Sequence, residues 1–248
     1  MTASRPYRFF RAAVAEIADL TPSFRRFTFR GADLAEYGDP GYGQRVKVVF
    51  PGESVGIDAM PLGDDWYPAW RALPGDERPP LRTYTTRAVR NDAREVVLDM
   101  VAHEVSGPAS AWIERAAVGD EVLIYAPIRE DAGVNYGVDF VPPARTGRYL
   151  LAGDETAAPA IAVILEQLPP DARGVVVVEV PREGDVAYLP RHPGFEYRVV
   201  GREEGERHAE LAVERGDESA DSRVFGEGLG GEVEVVGELG ELRVRGQL

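Results

Sequence analysis

Three short stretches of this 248-residue sequence carry residue types that could do chemistry. The first is LRTYTTR at 81–87, with two arginines, a tyrosine and three threonines in seven residues. Side chains on a strand alternate between faces, so Arg82, Tyr84 and Thr86 share one side while Thr83, Thr85 and Arg87 share the other. A cation beside an aromatic ring suits a phosphate and a flat ring. Arg82 would supply charge-assisted hydrogen bonds, Tyr84 would lie against the ring, and a threonine hydroxyl would bond a ring heteroatom. The same heptad also fits an edge strand with solvated arginines and threonines that favour the extended chain.

The second stretch, DMVAHEVSGPASAW at 99–112, reads as a strand that turns through Ser106, Gly107 and Pro108 into a helix. Such a turn aims free backbone N–H groups, and the positive end of the helix dipole, at whatever precedes Ala109. Pro108 suits a first helical turn, and Gly107 allows close approach to the backbone. A capped helix with no ligand, and His103 as a satisfied histidine at a strand end, explains the same residues. The third stretch, AGDETAAPAIAVILEQL at 152–168, is a strand end followed by a helix, with no G-x-G-x-x-G. Asp154 and Glu155 place carboxylates where a pyrophosphate would otherwise sit, so a dinucleotide cannot lay its phosphates directly on this helix end. The two acids read equally as N-terminal capping.

Composition narrows the chemistry further. There are no cysteines, which excludes disulfides, thiolate metal sites, iron–sulfur clusters and cysteine nucleophiles, so redox work would need a bound organic cofactor. The net charge of −14 argues against nucleic acid or an anionic membrane surface as partners. Residues 201–248 contribute half of it, with thirteen acidic side chains against six arginines, and read as a solvated face. No apolar run approaches the ~18 residues that span a bilayer, and the start lacks the apolar stretch of a signal peptide. The expectation is a cytoplasmic protein, and a monomer.

These stretches must be positioned by the elements around them. Before residue 145 the sequence predicts strands at 24–29, 45–50, 81–87, 95–103 and 120–127, and one helix at 109–117. Many strands and one helix predict a closed antiparallel β-barrel. After the proline-rich 141–148, apolar strands at 148–153, 174–181, 195–201 and 222–228 surround a helix at 156–168. Near-continuous apolar strands alternating with helices predict a doubly wound parallel sheet. The domains are therefore drawn as 1–145 and 146–248. Open parallel sheets bind ligands at their carboxyl ends, which here carry AGDET, VPRE and FGEG.

In this order and spacing, Arg82-Thr83-Tyr84-Thr85, the run from Asp99 to Trp112, and Gly153 to Ala160 resemble the siderophore-interacting protein family. These are flavin-dependent ferric-siderophore reductases of the ferredoxin-reductase superfamily. The resemblance covers nearly the whole chain and weakens after about residue 227. It implies an FAD-binding barrel followed by a domain for NADH or NADPH. Arg82 would hold the FAD pyrophosphate, Tyr84 would stack on the isoalloxazine, Thr85 would sit near its N5, and Thr83 would belong to the same cofactor site. Gly107, Pro108, Ala109 and Ser110 would supply further phosphate contacts, with His103 close by. Asp154, Glu155 and Thr156 would line the cleft between flavin and nicotinamide, with Gly226 and Glu227 opposite.

By the same likeness, electrons pass from NAD(P)H through FAD to a ferric siderophore, and no side chain acts as a catalytic acid or base. Lys47, the only lysine, matches a basic position typical of the family, and Arg129 is a second candidate for contact with an anionic siderophore. A solvated surface role remains open for Lys47. The family's usual helical ending is missing after Glu227, where six glycines interrupt GLGGEVEVVGELGELRVRGQL. A strand-like ending through EVEVV and LRVR, or a degenerate domain, is expected instead. A flavin oxidoreductase serving another acceptor, and a flavin or siderophore carrier without turnover, stay open as alternatives.

Overall fold

The computed structural model describes residues 7–102, 107–129, 140 and 148–201, and the backbone of 212–215, 234–236 and 242–245. The chain gathers into two compact units, residues 1–20 with 24–139, and residues 21–23 with 140–248.

Six strands close the first unit into an antiparallel barrel: β1 (Tyr7–Asp19), β2 (Phe24–Arg30), β3 (Arg45–Val49), β4 (Leu81–Arg90), β5 (Glu95–Val101) and β6 (Glu121–Pro127). Their order around the barrel is β1-β2-β5-β4-β3-β6, and pairing of β1 with β6 completes the ring. Alternation builds the interior. Phe10, Ala12 and Val14 of β1, Val46 and Val48 of β3, Leu98 and Met100 of β5, and Val122, Ile124 and Ala126 of β6 fill one core. The barrel agrees with the sequence expectation, but β1 is an addition to it. YRFFRAAVAEIAD is rich in alanine, so its period of two is muted, and only pairing with β2 and β6 fixes it as a strand.

The expectation of a single helix in this half is also corrected. Besides α2 (Pro108–Arg115), a short helix α1 (Trp66–Ala72) lies in the β3–β4 connection. Seven residues with an internal proline make a poor isolated helix. Here Trp66 meets Phe9 edge-on at 5.2 Å and Tyr125 at 4.9 Å, and joins Val49, Ile57, Met60 and Leu123 in a small core of their own. Helix α2 is anchored by Trp112, whose ring lies 4.9 Å from Phe50 and 5.5 Å from Phe27.

The second unit holds β7 (Arg148–Gly153), α3 (Ala158–Gln167), β8 (Arg173–Val180) and β9 (Phe195–Gly201). Strand β8 pairs in parallel with both β7 and β9. Helix α3 is buried continuously from Ala158 to Leu165, as a helix apolar on all sides must be. Further along, β10 (Ala212–Arg215) pairs with β12 (Leu242–Arg245), while β11 (Glu234–Val236) joins the sheet antiparallel to β7. The ending is thus strand-like among the described residues. The strand expected at 222–228 lies outside them, and with it Gly226 and Glu227. Within this unit the buried Asp185 carboxylate accepts bonds from the Thr21 hydroxyl at 2.6 Å, the Ser23 N–H at 2.8 Å and the Arg182 N–H at 3.0 Å.

Candidate functional site

Strand β4 is where the first motif acquires its geometry. It pairs with β3 in the register Arg45↔Thr85, Lys47↔Thr83 and Val49↔Leu81. At the two ends of this ladder the Thr86 N–H donates to the Gln44 carbonyl at 2.8 Å, and the Phe50 N–H to the Pro80 carbonyl at 2.9 Å. Antiparallel pairs exchange both bonds at every second position. Arg82, Tyr84 and Thr86 therefore turn their backbone groups toward β3, and Thr83 and Thr85 turn theirs to the opposite edge. Pairing with β5 begins only at Thr86↔Leu98, followed by a register shift before Ala88. Among the described residues no strand covers the Thr83–Thr85 edge. Thr85, whose buried side chain points away from Arg82 and Tyr84, thereby turns its backbone toward the edge opposite β3, next to the point where pairing with β5 begins.

The side chains of β4 divide as the alternation requires. Tyr84 packs against the barrel core and meets Phe50 edge-on at 5.9 Å. Burial pushes its phenol pKa up, with the nearby Arg82 charge opposing, so the hydroxyl stays neutral at physiological pH. Thr86 shares a 2.7 Å hydrogen bond with the buried Tyr37 hydroxyl. Arg82 is exposed, with Nη1 donating to the Leu81 carbonyl at 2.8 Å.

The second motif comes to the same place. A Cβ added to Gly107 would lie 3.9 Å from Nη2 of Arg82. Gly107 is extended and precedes α2 with Pro108 in the first turn, and among the described residues no side chain caps the helix. The first-turn N–H groups of Ala109 and Ser110 are accordingly left for another acceptor. Ala109 is buried and Ser110 half-buried. A guanidinium beside an uncapped helix start, next to an aromatic ring and an open strand edge, can receive a diphosphate joined to a planar heterocycle. These residues fit FAD. His103 lies outside the described residues.

Lys47 is mid-strand on β3, on the face that carries Thr83. Its Nζ donates to the Thr83 hydroxyl at 3.4 Å, and Tyr125 of β6 is its neighbour on the other side. Arg129 is not brought to Arg82. It is exposed and lines a shallow cleft of about 340 Å³ with Val89, Arg90, Asn91, Asp92 and Ala93, toward the far end of β4.

In the second unit Asp154, Glu155 and Thr156 follow β7 at the carboxyl end of the parallel sheet, and Arg182 follows β8 at the same end. Asp154 Oδ1 accepts from the Thr156 N–H at 2.9 Å and its hydroxyl at 2.5 Å, and from the Ala157 N–H at 3.3 Å. The carboxylate thus occupies the donors that precede α3, and any anion must bind elsewhere on this edge. Glu155 is buried, and Arg182 is exposed.

Two features went unread in the sequence. The open backbone edge needs the pairing of three strands. The partners of Asp99 are equally non-local, although a carboxylate in the middle of the apolar strand EVVLDMV was a signal that something must cover it.

A closed antiparallel barrel with such a strand and helix start, followed along the chain by a second unit built on a parallel sheet, is the ferredoxin-reductase-like architecture of flavoproteins. A family model described as a siderophore-interacting FAD-binding domain matches residues 13–131, and one described as siderophore-interacting protein matches 146–238. An uncharacterized protein of Mycobacterium tuberculosis is 33% identical over 203 residues, covering 81% of this chain and 67% of its own. The ferric vibriobactin reductase ViuB of Vibrio cholerae is 29% identical over 213 residues, covering 82% and 72%. The crystal structure of the siderophore-interacting protein SipS from Aeromonas hydrophila superposes with a TM-score of 0.63 at 31% identity, covering 81% of this chain and 71% of that one. The chain belongs to the siderophore-interacting protein family, whose N-terminal domain binds FAD.

Proposed function

We propose that this protein reduces ferric siderophores with electrons from NADH or NADPH, carried by FAD on the first unit. The observation that carries the reading is the meeting of Arg82 with Gly107 at an uncapped helix start, beside Tyr84 and the Thr83–Thr85 edge. Arg82 and the N–H groups of Ala109 and Ser110 would hold the pyrophosphate. Tyr84 would face the isoalloxazine, and the Thr85 backbone would bond its polar edge. FAD, once bound, would accept a hydride and release electrons singly to iron. Hard oxygen donors hold Fe(III) more tightly than Fe(II), so reduction frees the metal.

Lys47 would meet an anionic siderophore, a role supported by its being the one lysine in a chain of net charge −14 and by its place on β3 beside the motif strand. Asp154, Glu155 and Thr156 would face the nicotinamide, with the carboxylate of Asp154 keeping phosphates off the start of α3. Arg182, at the end of β8, is the side chain placed to favour a 2′-phosphate.

The test is anaerobic. Protein reconstituted with FAD is mixed with NADH or NADPH, and then with a ferric catecholate or hydroxamate in the presence of a coloured Fe(II) chelator. Bleaching of the flavin followed by the Fe(II) colour is expected. Flavin that stays oxidised with both nucleotides would replace this reading with that of a carrier, and bleaching without Fe(II) release would make it a reductase for another acceptor.

A further inference from the structure

Strand β5 is buried along its whole length, yet it carries two carboxylates, Glu95 and Asp99. Each is covered by an arginine from the strand on either side. At one end, Glu95 accepts from Arg30 of β2 at 2.5 Å and from Arg90 of β4 at 3.0 Å. At the other, Asp99 accepts from Arg26 of β2 through both oxygens, at 2.7 and 2.8 Å, and Arg87 of β4 lies 3.4 Å from Oδ2. The two clamps draw on the same pair of neighbouring strands, but they sit in different surroundings. Around Glu95 the strands are already laddered, with Arg90 directly opposite. Around Asp99 they part. Arg87 stands at the register shift, β4 runs on from Thr85 to Leu81 paired with β3 alone, and β5 runs on through Met100 and Val101 paired with β2 alone.

Asp99 and Arg87 therefore stand at the crotch of a fork. One prong, β4, delivers Arg82 and Tyr84. The other, β5, leads on to Gly107 and the start of α2. Asp99, fully out of solvent and hydrogen-bonded to Arg26 of the still-paired β2, lies in ion-pair range of Arg87 and so ties β5 to β4 at the point beyond which those two strands no longer pair.

We propose that Asp99 is a positioning residue which, through Arg87 and Arg26, sets the opening of this fork and hence the distance between Arg82 and the Gly107–Ser110 turn. The inference rests on the reading of that place as the FAD pyrophosphate site. The ring contacts all come from one prong, whereas the pyrophosphate needs both. Loosening the clamp should thus cost the diphosphate more than the ring.

The experiment compares Asp99→Asn and Arg87→Gln with Glu95→Gln, which breaks the matching clamp where the strands stay laddered. FAD and riboflavin affinities are measured by flavin fluorescence at a temperature where each variant is folded by circular dichroism. FAD binding to Asp99→Asn and Arg87→Gln is expected to weaken about tenfold, of the size of one charge-assisted contact. The preference for FAD over riboflavin should shrink with it, and Glu95→Gln should change FAD affinity less than about threefold despite a similar fall in Tm. Unchanged FAD affinity in the first two variants, an equal loss in all three, or a parallel loss of FAD and riboflavin would overturn the proposal. If Asp99→Asn does not fold, Arg87→Gln decides, since it leaves Asp99 paired with Arg26. Failure of the wild-type protein to bind FAD would instead refute the cofactor reading, before any variant is compared.

Discussion

Arg82 is exposed, makes a local bond to its own neighbour's carbonyl, and stands close to Gly107. Such a side chain contributes little to folding and is available to a ligand. Replacing Arg82 with alanine should weaken FAD binding about tenfold to a hundredfold, the range for a charge-assisted contact, while the thermal midpoint moves little. Gly107→Ala makes the complementary point. The backbone there is extended rather than left-handed, and the added methyl would meet only the end of Arg82 at ordinary contact distance, so the fold should tolerate it. The methyl would nonetheless occupy the approach to the N–H groups of α2. Loss of FAD affinity at unchanged Tm, read by titration and calorimetry, is the expected outcome. Arg87, by its place in the alternating pattern a mere surface cation, is in fact paired with a buried carboxylate.

At the scale of elements, α2 links core and site, because the helix that presents Ala109 and Ser110 is seated by Trp112 among Phe27, Phe29 and Phe50. Trp112→Ala should cost about 3–5 kcal/mol in chemical denaturation, the usual penalty for emptying a large aromatic site, and should lower FAD affinity as well by unseating the helix start. Strand β5 brings a pH dependence. Hydrogen bonding to Arg30 first, and then to Arg90, holds the Glu95 carboxyl below the usual carboxylate range. A lowered folded pKa means a contribution that is fully present above the unfolded value of about 4.3 and is lost as pH falls through the folded one. The stability difference between wild type and Glu95→Gln should therefore be largest near neutrality and narrow below about pH 4, as urea titrations at several pH values would show.

For the whole molecule the dominant fact is the charge of −14, set against a proposed substrate that is often anionic. Long-range repulsion should slow encounter, and salt should relieve it. The kcat/KM for an anionic ferric siderophore is expected to rise with ionic strength between low and physiological salt, whereas that for a neutral hydroxamate complex should stay nearly flat. A rate that falls with salt for the anionic substrate would mean that a local positive charge such as Lys47 governs the encounter. Among the described residues no helix is long and apolar enough to cross a membrane.

Much of this was legible in the sequence because it depends on local periods. The sharing of one face by Arg82 and Tyr84, the helix start at Gly107-Pro108, the switch from alternating to continuous apolar strands, and the exclusion of thiol chemistry all follow from neighbours along the chain. Strand β1 and helix α1 escaped because alanine blurs a period of two in one, and tertiary contacts alone hold the other. Only the tertiary structure decided that Arg82 meets Gly107 and Arg129 does not, that Thr83 and Thr85 turn their backbone to the edge opposite β3, and that Asp99 binds arginines from two strands. Each of these depends on register, and register is set by how strands from distant parts of the chain pair around one closed barrel, which no local pattern encodes.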